Sequence, residues 1–231
     1  MQYLSQRLAS KPSPGRGAGL SDLALPSPQR ERILDAAERL IAERGCVGTS
    51  IEAIVKEAGV SSVTFYEFFE SKEECFAVAF DRAVAWGVDQ MAAAIREAGE
   101  ADELSWPEQV ATGLRATTRL IVEAPERARL CLVEAQTGGP ELESRFETAL
   151  DRLAAKLREG RALPTASVDL PASHEEATAA GLAWLLRERL EMGVAAKLGE
   201  LYPELIDIAL APYLGAGESR PAVPATAQGN G

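Results

Sequence analysis

Histidine, cysteine and aromatic residues are scarce in this chain: one histidine, three cysteines and 6% aromatics among 231 residues. His174 stands alone, and Cys46, Cys75 and Cys131 lie far apart. They offer neither the ligand spacing of a zinc site nor the even set of a disulfide framework. The cysteines are expected as small buried residues, and no metal or cofactor is expected. No run of about 18 apolar residues occurs, so a membrane-spanning helix is not expected. Met1–Leu25 holds no apolar block of the kind a secretory signal needs, and the expected location is the cytoplasm. Nucleophile motifs and glycine-rich phosphate loops are missing too. His174 falls in a helix start, where exposure is expected. The acid pairs Glu73-Glu74 and Glu175-Glu176 suit helix N-termini through the macrodipole. Catalytic residues are therefore not expected, and neither is an enzyme.

What remains is a helix-forming composition, rich in Ala, Leu, Glu and Arg and 46% hydrophobic overall. The formal net charge of −11 is unevenly spread. Residues 1–72 hold nine Lys/Arg and nine Asp/Glu, whereas residues 73–231 hold fifteen and twenty-six. A neutral segment joined to an acidic body fits a DNA reader attached to a domain that does not touch DNA. Met1–Pro26, rich in Ser, Pro, Gly and Ala, is expected as a disordered arm. It carries Arg7, Lys11 and Arg16 against Asp22, and a solvated tail is expected there before a DNA contact. Gly215–Gly231 is expected to be loose as well.

Between these ends the pattern is all-α, with about nine helices. Ser27-Pro28 opens the first, Ile33, Ala37, Leu40 and Ile41 form its apolar stripe, and Gly45 is expected to stop it. Thr49 to Glu52 reads as a capping box for a short helix whose Ile51, Ile54, Val55 and Ala58 repeat at i, i+3, i+4, i+7. Gly59 ends that helix, Ser61 caps a third through about Phe68, and Ser71 to Glu74 opens a long one to about Ala98. Further helices are expected from Ser105-Trp106-Pro107-Glu108 to Glu123, from Pro125 to about Gln136 and from Pro140 to about Arg161. After a loop from Leu163 to Ala172, a capping box at Ser173 to Glu176 starts a helix to about Ala196. The last covers about Gly199 to Leu214. The domains expected are a helix-turn-helix reader at 27–72 and a helical effector-binding and dimerisation domain at 73–214.

Two short helices joined by Ala58-Gly59-Val60-Ser61 carry the functional motif. A tight turn between crossed helices needs a glycine for positive φ, an apolar plug and a cap for the second helix, and Gly59, Val60 and Ser61 supply these in order. The second helix is then free to enter a major groove. Residues 28–75 resemble the DNA-binding domain of the tetracycline-repressor (TetR) family. The residues that carry the resemblance are Thr49-Ser50-Ile51, the turn at 58–61, Thr64-Phe65-Tyr66, Phe69 and Ser71-Lys72-Glu73. The resemblance implies that Ser61, Ser62, Val63, Thr64 and Tyr66 face double-stranded DNA. Tyr66 and Lys72 would contact phosphates, with Ser50 anchoring the backbone. Val63 suits a thymine methyl, and Thr64 a methyl or a base edge. The reading helix has no Arg, Lys, Asn or Gln. Its Glu67, with Glu70 just beyond, either accepts from cytosine amino groups or is solvated, and solvation is the expected state. DNA shape and the basic arm would then carry more of the specificity. Phe65, Phe68 and Phe69 are expected in the core.

The same resemblance implies a homodimer through the last two long helices and a small-molecule effector that releases a repressor from its operator. The stripes Leu182, Leu185, Leu186, Leu190, Val194 and Leu201, Leu205, Ile208, Leu214 suit such a bundle, or any bundle within one chain. Candidates for the effector pocket are Trp86, Met91, Trp106, Arg115, Phe146 and Trp184, with Leu114 and Leu130. Ordinary core is the competing role for the apolar ones. Arg115, Arg119, Arg127 and Glu134 are expected on a solvated face, and Gly87, Gly113 and Gly181 mark either close helix approach or room for a ligand. The second functional reading is a helical protein-interaction module with a degenerate helix-turn-helix.

Overall fold

The computed structural model describes residues 27–99, 104–167, 169–193 and 197–214, and all regular structure among them is helical. The expected arm, the expected tail, Val194 and the expected helix end at Ala196 lie outside the described residues. The helices are α1 (Pro28–Gly48), α2 (Ile51–Ala58), α3 (Ser62–Phe68), α4 (Lys72–Ala98), α5 (Trp106–Glu123), α6 (Pro125–Leu132), α7 (Pro140–Arg158), α8 (His174–Glu191) and α9 (Leu198–Leu210). Short 3₁₀ turns at Glu134–Gln136 and Glu159–Ala162 follow α6 and α7. None of these helices is long and apolar enough to cross a membrane.

Local chemistry explains most of the boundaries. Prolines occupy the first turns of α1, α5, α6 and α7, where a missing N–H costs nothing. Ser50, Ser61 and Ser71 accept the backbone N–H of Ala53, Thr64 and Glu74 at 3.2, 3.0 and 3.1 Å. Ser105 donates its N–H and hydroxyl to the Glu108 carboxylate at 2.8 and 2.6 Å. Alanine at Ser61 or Ser71 is expected to cost about 1 kcal/mol each, read as a lowered urea midpoint with an unchanged slope.

Gly45 breaks the regular helix as expected, at φ 73° and ψ 168°, and one further turn carries the chain to Gly48. Other expectations need correction. Thr49 does not cap α2, because its buried hydroxyl bonds back to the Gly45 carbonyl at 2.8 Å and leaves the cap to Ser50. Ser173 makes no capping hydrogen bond. His174 is half-buried, its ring set edge-on against Tyr213. Around Gly87, Gly113 and Gly181 no atom lies within 4 Å of the place a methyl would take, so close helix approach is not their reason.

Two apolar clusters organise the body. One gathers Ile33, Leu34, Ile41, Ile54, Phe65, Phe69 and Phe76 from α1 to α4, together with Leu130 of α6 and Leu142 of α7. The other joins Leu114, Ile121, Leu157, Leu182, Leu186, Leu190, Leu205 and Leu210 from α5, α7, α8 and α9. Cys46 and Cys75 are buried and Cys131 half-buried. Burial pushes all three thiols up to about 12, so they stay protonated at neutral pH.

Buried carboxylates tie the helices together at three places. Glu38 of α1 accepts from Arg82 of α4 at 2.9 and 2.7 Å and from Arg127 of α6 at 3.1 Å. Arg82 also reaches Glu31 and Asp35, each at 2.8 Å. Glu134, just past α6, accepts the Cys46 backbone N–H at 3.0 Å, beside the Gly45 kink. Glu175, at the start of α8, is fully buried and accepts from Arg161 at 2.7 and 2.9 Å and from the Tyr213 hydroxyl at 2.8 Å. Arg127 and Glu134 are therefore not on a solvated face as expected: Glu134 is buried and Arg127 half-buried.

Candidate nucleic-acid interface

The turn between α2 and α3 has the geometry its residues imply. Gly59 sits at φ 64°, ψ 41°, the left-handed conformation that only glycine adopts without strain. The Val60 N–H then closes back onto the Val55 carbonyl at 3.0 Å, a Schellman-type ending. Val60 itself is half-buried against the first cluster. Behind the turn, Phe65 and Phe69 are 0% and 2% exposed with ring centroids 5.4 Å apart, and Phe68 is half-buried against the same cluster. The inner side of α3 is thus pinned, and its outer side stays free.

That outer side carries Ser62, Val63, Tyr66 and Glu67, all exposed; Val63 is 71% and Tyr66 57% accessible. The Tyr66 ring meets Phe65 edge-on at 5.5 Å, which holds it beside the core while its hydroxyl side faces solvent. Ser61 and Thr64 are less free. Their hydroxyls lie 3.0 Å apart, and the Ser61 oxygen also accepts the Thr64 N–H. Lys72 is half-buried, and its ammonium donates to the Cys46 and Thr49 carbonyls at 3.4 and 3.2 Å. It therefore stands one residue from Ser50, the exposed cap of α2, and locks the α1–α2 turn to the start of α4. An ammonium has three protons, so one remains for a phosphate.

Residues 33–79 match the model of the bacterial regulatory proteins of the tetR family. They are a TetR-family domain. The fatty acid metabolism regulator protein of Bacillus subtilis (strain 168) is 33% identical over 76 residues, which cover 33% of this chain and 39% of that one. A helix-turn-helix-type transcriptional regulator of Lactococcus lactis subsp. lactis, described as uncharacterized, is 41% identical over 58 residues, 25% of this chain and 30% of its own. The chain thus spans about a third of the length of these curated relatives. The fold match reaches further than the TetR-family domain. The fatty acid degradation regulator FadR of Bacillus halodurans superposes with TM-score 0.65 at 20% identity, over 79% of this chain and 97% of that one. FadR of Bacillus subtilis, solved in complex with stearoyl-CoA, gives TM-score 0.64 at 20% identity over 79% and 98%.

The six residues expected at an effector pocket are not gathered in one place. Trp86 of α4 lies under the Arg127 guanidinium at 4.7 Å. Met91 accepts from Thr117 at 3.3 Å. Trp106 donates to the Lys156 carbonyl at 2.9 Å and packs against Tyr213 and Gly160. Arg115 stacks over Tyr202 at 4.8 Å, Phe146 is half-buried on α7, and Trp184 is 57% exposed on α8. A groove of about 560 Å³ between α4 and α7 is lined instead by Phe80, Val84, Ala85, Val88 and Ala149, with Asp81, Asp89, Arg145, Thr148 and Arg152. Sequence reasoning missed it because the periodicity of one helix does not say which neighbour it faces.

Proposed function

We propose that the chain is a DNA-binding transcriptional regulator, a repressor whose hold on its operator is released by a small-molecule effector, and that it acts as a homodimer through α8 and α9. The observation that carries this reading is the outer strip of α3, unpartnered and exposed on a TetR-family domain. One short reading helix makes few contacts, and two copies on half-sites a helical turn apart multiply them. On α8 and at its C-cap, Trp184 at 57% and Met192 at 59% exposure leave two large apolar side chains in water. Burying them against a second copy is the simplest way to remove that cost. Effector binding shifts the equilibrium between two body conformations only by its differential affinity for them, typically about 1–3 kcal/mol of coupling. The α4–α7 groove, lined by both apolar and charged side chains, is the candidate port for such a molecule.

A mobility shift against the DNA upstream of the chain's own gene, at two salt concentrations, tests the reading. Specific binding that weakens as salt rises is the expected result. Tyr66→Phe is expected to weaken that binding several-fold with an unchanged melting temperature, because the hydroxyl makes no hydrogen bond within the described residues. Lys72→Ala will alter both binding and the α1–α2 turn, so Tyr66→Phe is the cleaner probe. Equal binding by Tyr66→Phe and the parent removes Tyr66 from the DNA face. Stearoyl-CoA is the first effector to add to the shift, since the similar FadR structure holds it.

A further inference from the structure

The residues on the outer strip of α3 also say what kind of base it reads, an argument that rests on the operator-binding reading above. Val63 and Glu67 stand four residues apart, one above the other on the helix face, about 6 Å between Cβ atoms. Both are exposed, and Glu67 has no ion pair or hydrogen bond among the described residues. Several acids of the domain are occupied: Glu31, Asp35 and Glu38 hold Arg82, and Glu57 pairs with Arg39 at 3.2 Å. Ser62–Phe68 includes no Arg, Lys, Asn or Gln, so the two-pronged contacts that select guanine or adenine are not available from this helix.

Once α3 lies in a major groove, both side chains lose water. The valine then meets a matching apolar surface on a base edge only at the C5-methyl of thymine. The carboxylate, brought among phosphates, is tolerable only if it accepts a hydrogen bond. The base edges offer two such donors, the amino groups of cytosine and adenine. Adenine sets its amino group beside the N7 lone pair, which repels the second carboxylate oxygen, whereas cytosine sets it beside a C–H. Cytosine is the better partner.

We infer that α3 reads pyrimidines: Val63 packs on a thymine methyl, and Glu67 accepts from a cytosine amino group one or two base pairs away in the same half-site. The spacing fits, because about 6 Å between the side chains matches one to two steps of about 3.4 Å. Glu67 acts twice, drawing the helix to cytosine and repelling it from every sequence that offers no donor.

The test uses the full-length chain and duplexes enriched from a random-sequence library. Within the enriched site, each thymine is replaced in turn by deoxyuridine, which removes only the methyl, and each cytosine pair by a thymine pair. At one thymine per half-site the parent should bind about fourfold more weakly without the methyl, while Val63→Ala should not respond to its removal. At one cytosine the parent should discriminate about tenfold, and Glu67→Ala should bind both duplexes within about twofold. A parent indifferent to every deoxyuridine overturns the inference. So does a Glu67→Ala variant that binds all duplexes more tightly by the same factor, because the glutamate is then a solvated charge and nothing more. Failure to enrich any duplex overturns the operator-binding reading together with this one, and the two failures are thereby distinct.

Discussion

Glu175→Ala should destabilise the chain by about 3 kcal/mol or more, the largest effect of any single carboxylate removal in this fold. The side chain is fully buried, and three donors converge on it: two from Arg161 and the Tyr213 hydroxyl. Arg161 further holds the loop before α8 through the Leu170 and Pro171 carbonyls, and Thr165 and Ser167 bond to the Tyr213 and Pro212 carbonyls. Deleting the carboxylate leaves a buried phenol without its acceptor and a guanidinium without its counter-charge. Arg161 above all, with Tyr213, holds the Glu175 carboxyl down at about 2 against the usual 4.5. A depressed carboxylate stabilises the folded state at all pH values above its unfolded value. That stabilisation drains away as pH falls from about 4.5 toward about 2, because the unfolded chain takes the proton first. Urea titrations of parent and variant at pH 7 and pH 3 should therefore differ widely at the first pH and converge toward the second. Equal midpoints at pH 7 would show that the cluster contributes no net stability.

Removing Glu38 should produce the second large loss, about 3 kcal/mol. Its side chain is 6% exposed and joins three helices through Arg82 and Arg127, whose side chains are 20% and 27% exposed. Arg82 retains Glu31 and Asp35 after the change, but among the described residues Arg127 keeps only the face of Trp86. A double-mutant cycle between Glu38→Ala and Arg127→Ala, read by denaturant unfolding, should give a coupling above about 1 kcal/mol. A coupling near zero would mean that the two side chains are merely neighbours.

The helices were readable where their signals are local. Ser61, Ser71 and Ser105 cap as expected, and prolines mark four starts, because a cap and its partner lie within one turn of chain. The errors arise where a distant residue intervenes. Gly45 breaks α1 where the apolar stripe ends, but the next amide is taken up by Glu134, 88 residues onward, a partner no local pattern reveals. Ser173 has the look of a cap, yet the arginines of the preceding segment engage the two glutamates beside it: Arg161 takes Glu175, and Arg158 takes Glu176. The outer strip of α3 was legible for the opposite reason. Ser62, Val63 and Tyr66 face outward because Phe65 faces inward, and a seven-residue helix pinned by that ring and by Phe69 just beyond its end has no other way to lie. None of the expected effector residues lines the α4–α7 groove, because each was chosen from the pattern of a single helix and the groove is made by two.

The first apolar cluster does not respect the seam expected between residues 72 and 73. Leu130 and Leu142, 0% and 1% exposed, complete a core built otherwise from α1 to α4, and Glu134 supplies the acceptor for an amide in α1. A cassette cut from residues 27–79 and grafted onto a foreign body would leave Ile33, Ile41 and Phe76 facing whatever that body presents, and the Cys46 amide stranded. Under the proposed operator-reading role, changing specificity therefore calls for repainting the outer face of α3 in place, with any graft junction kept away from the whole of residues 27–142.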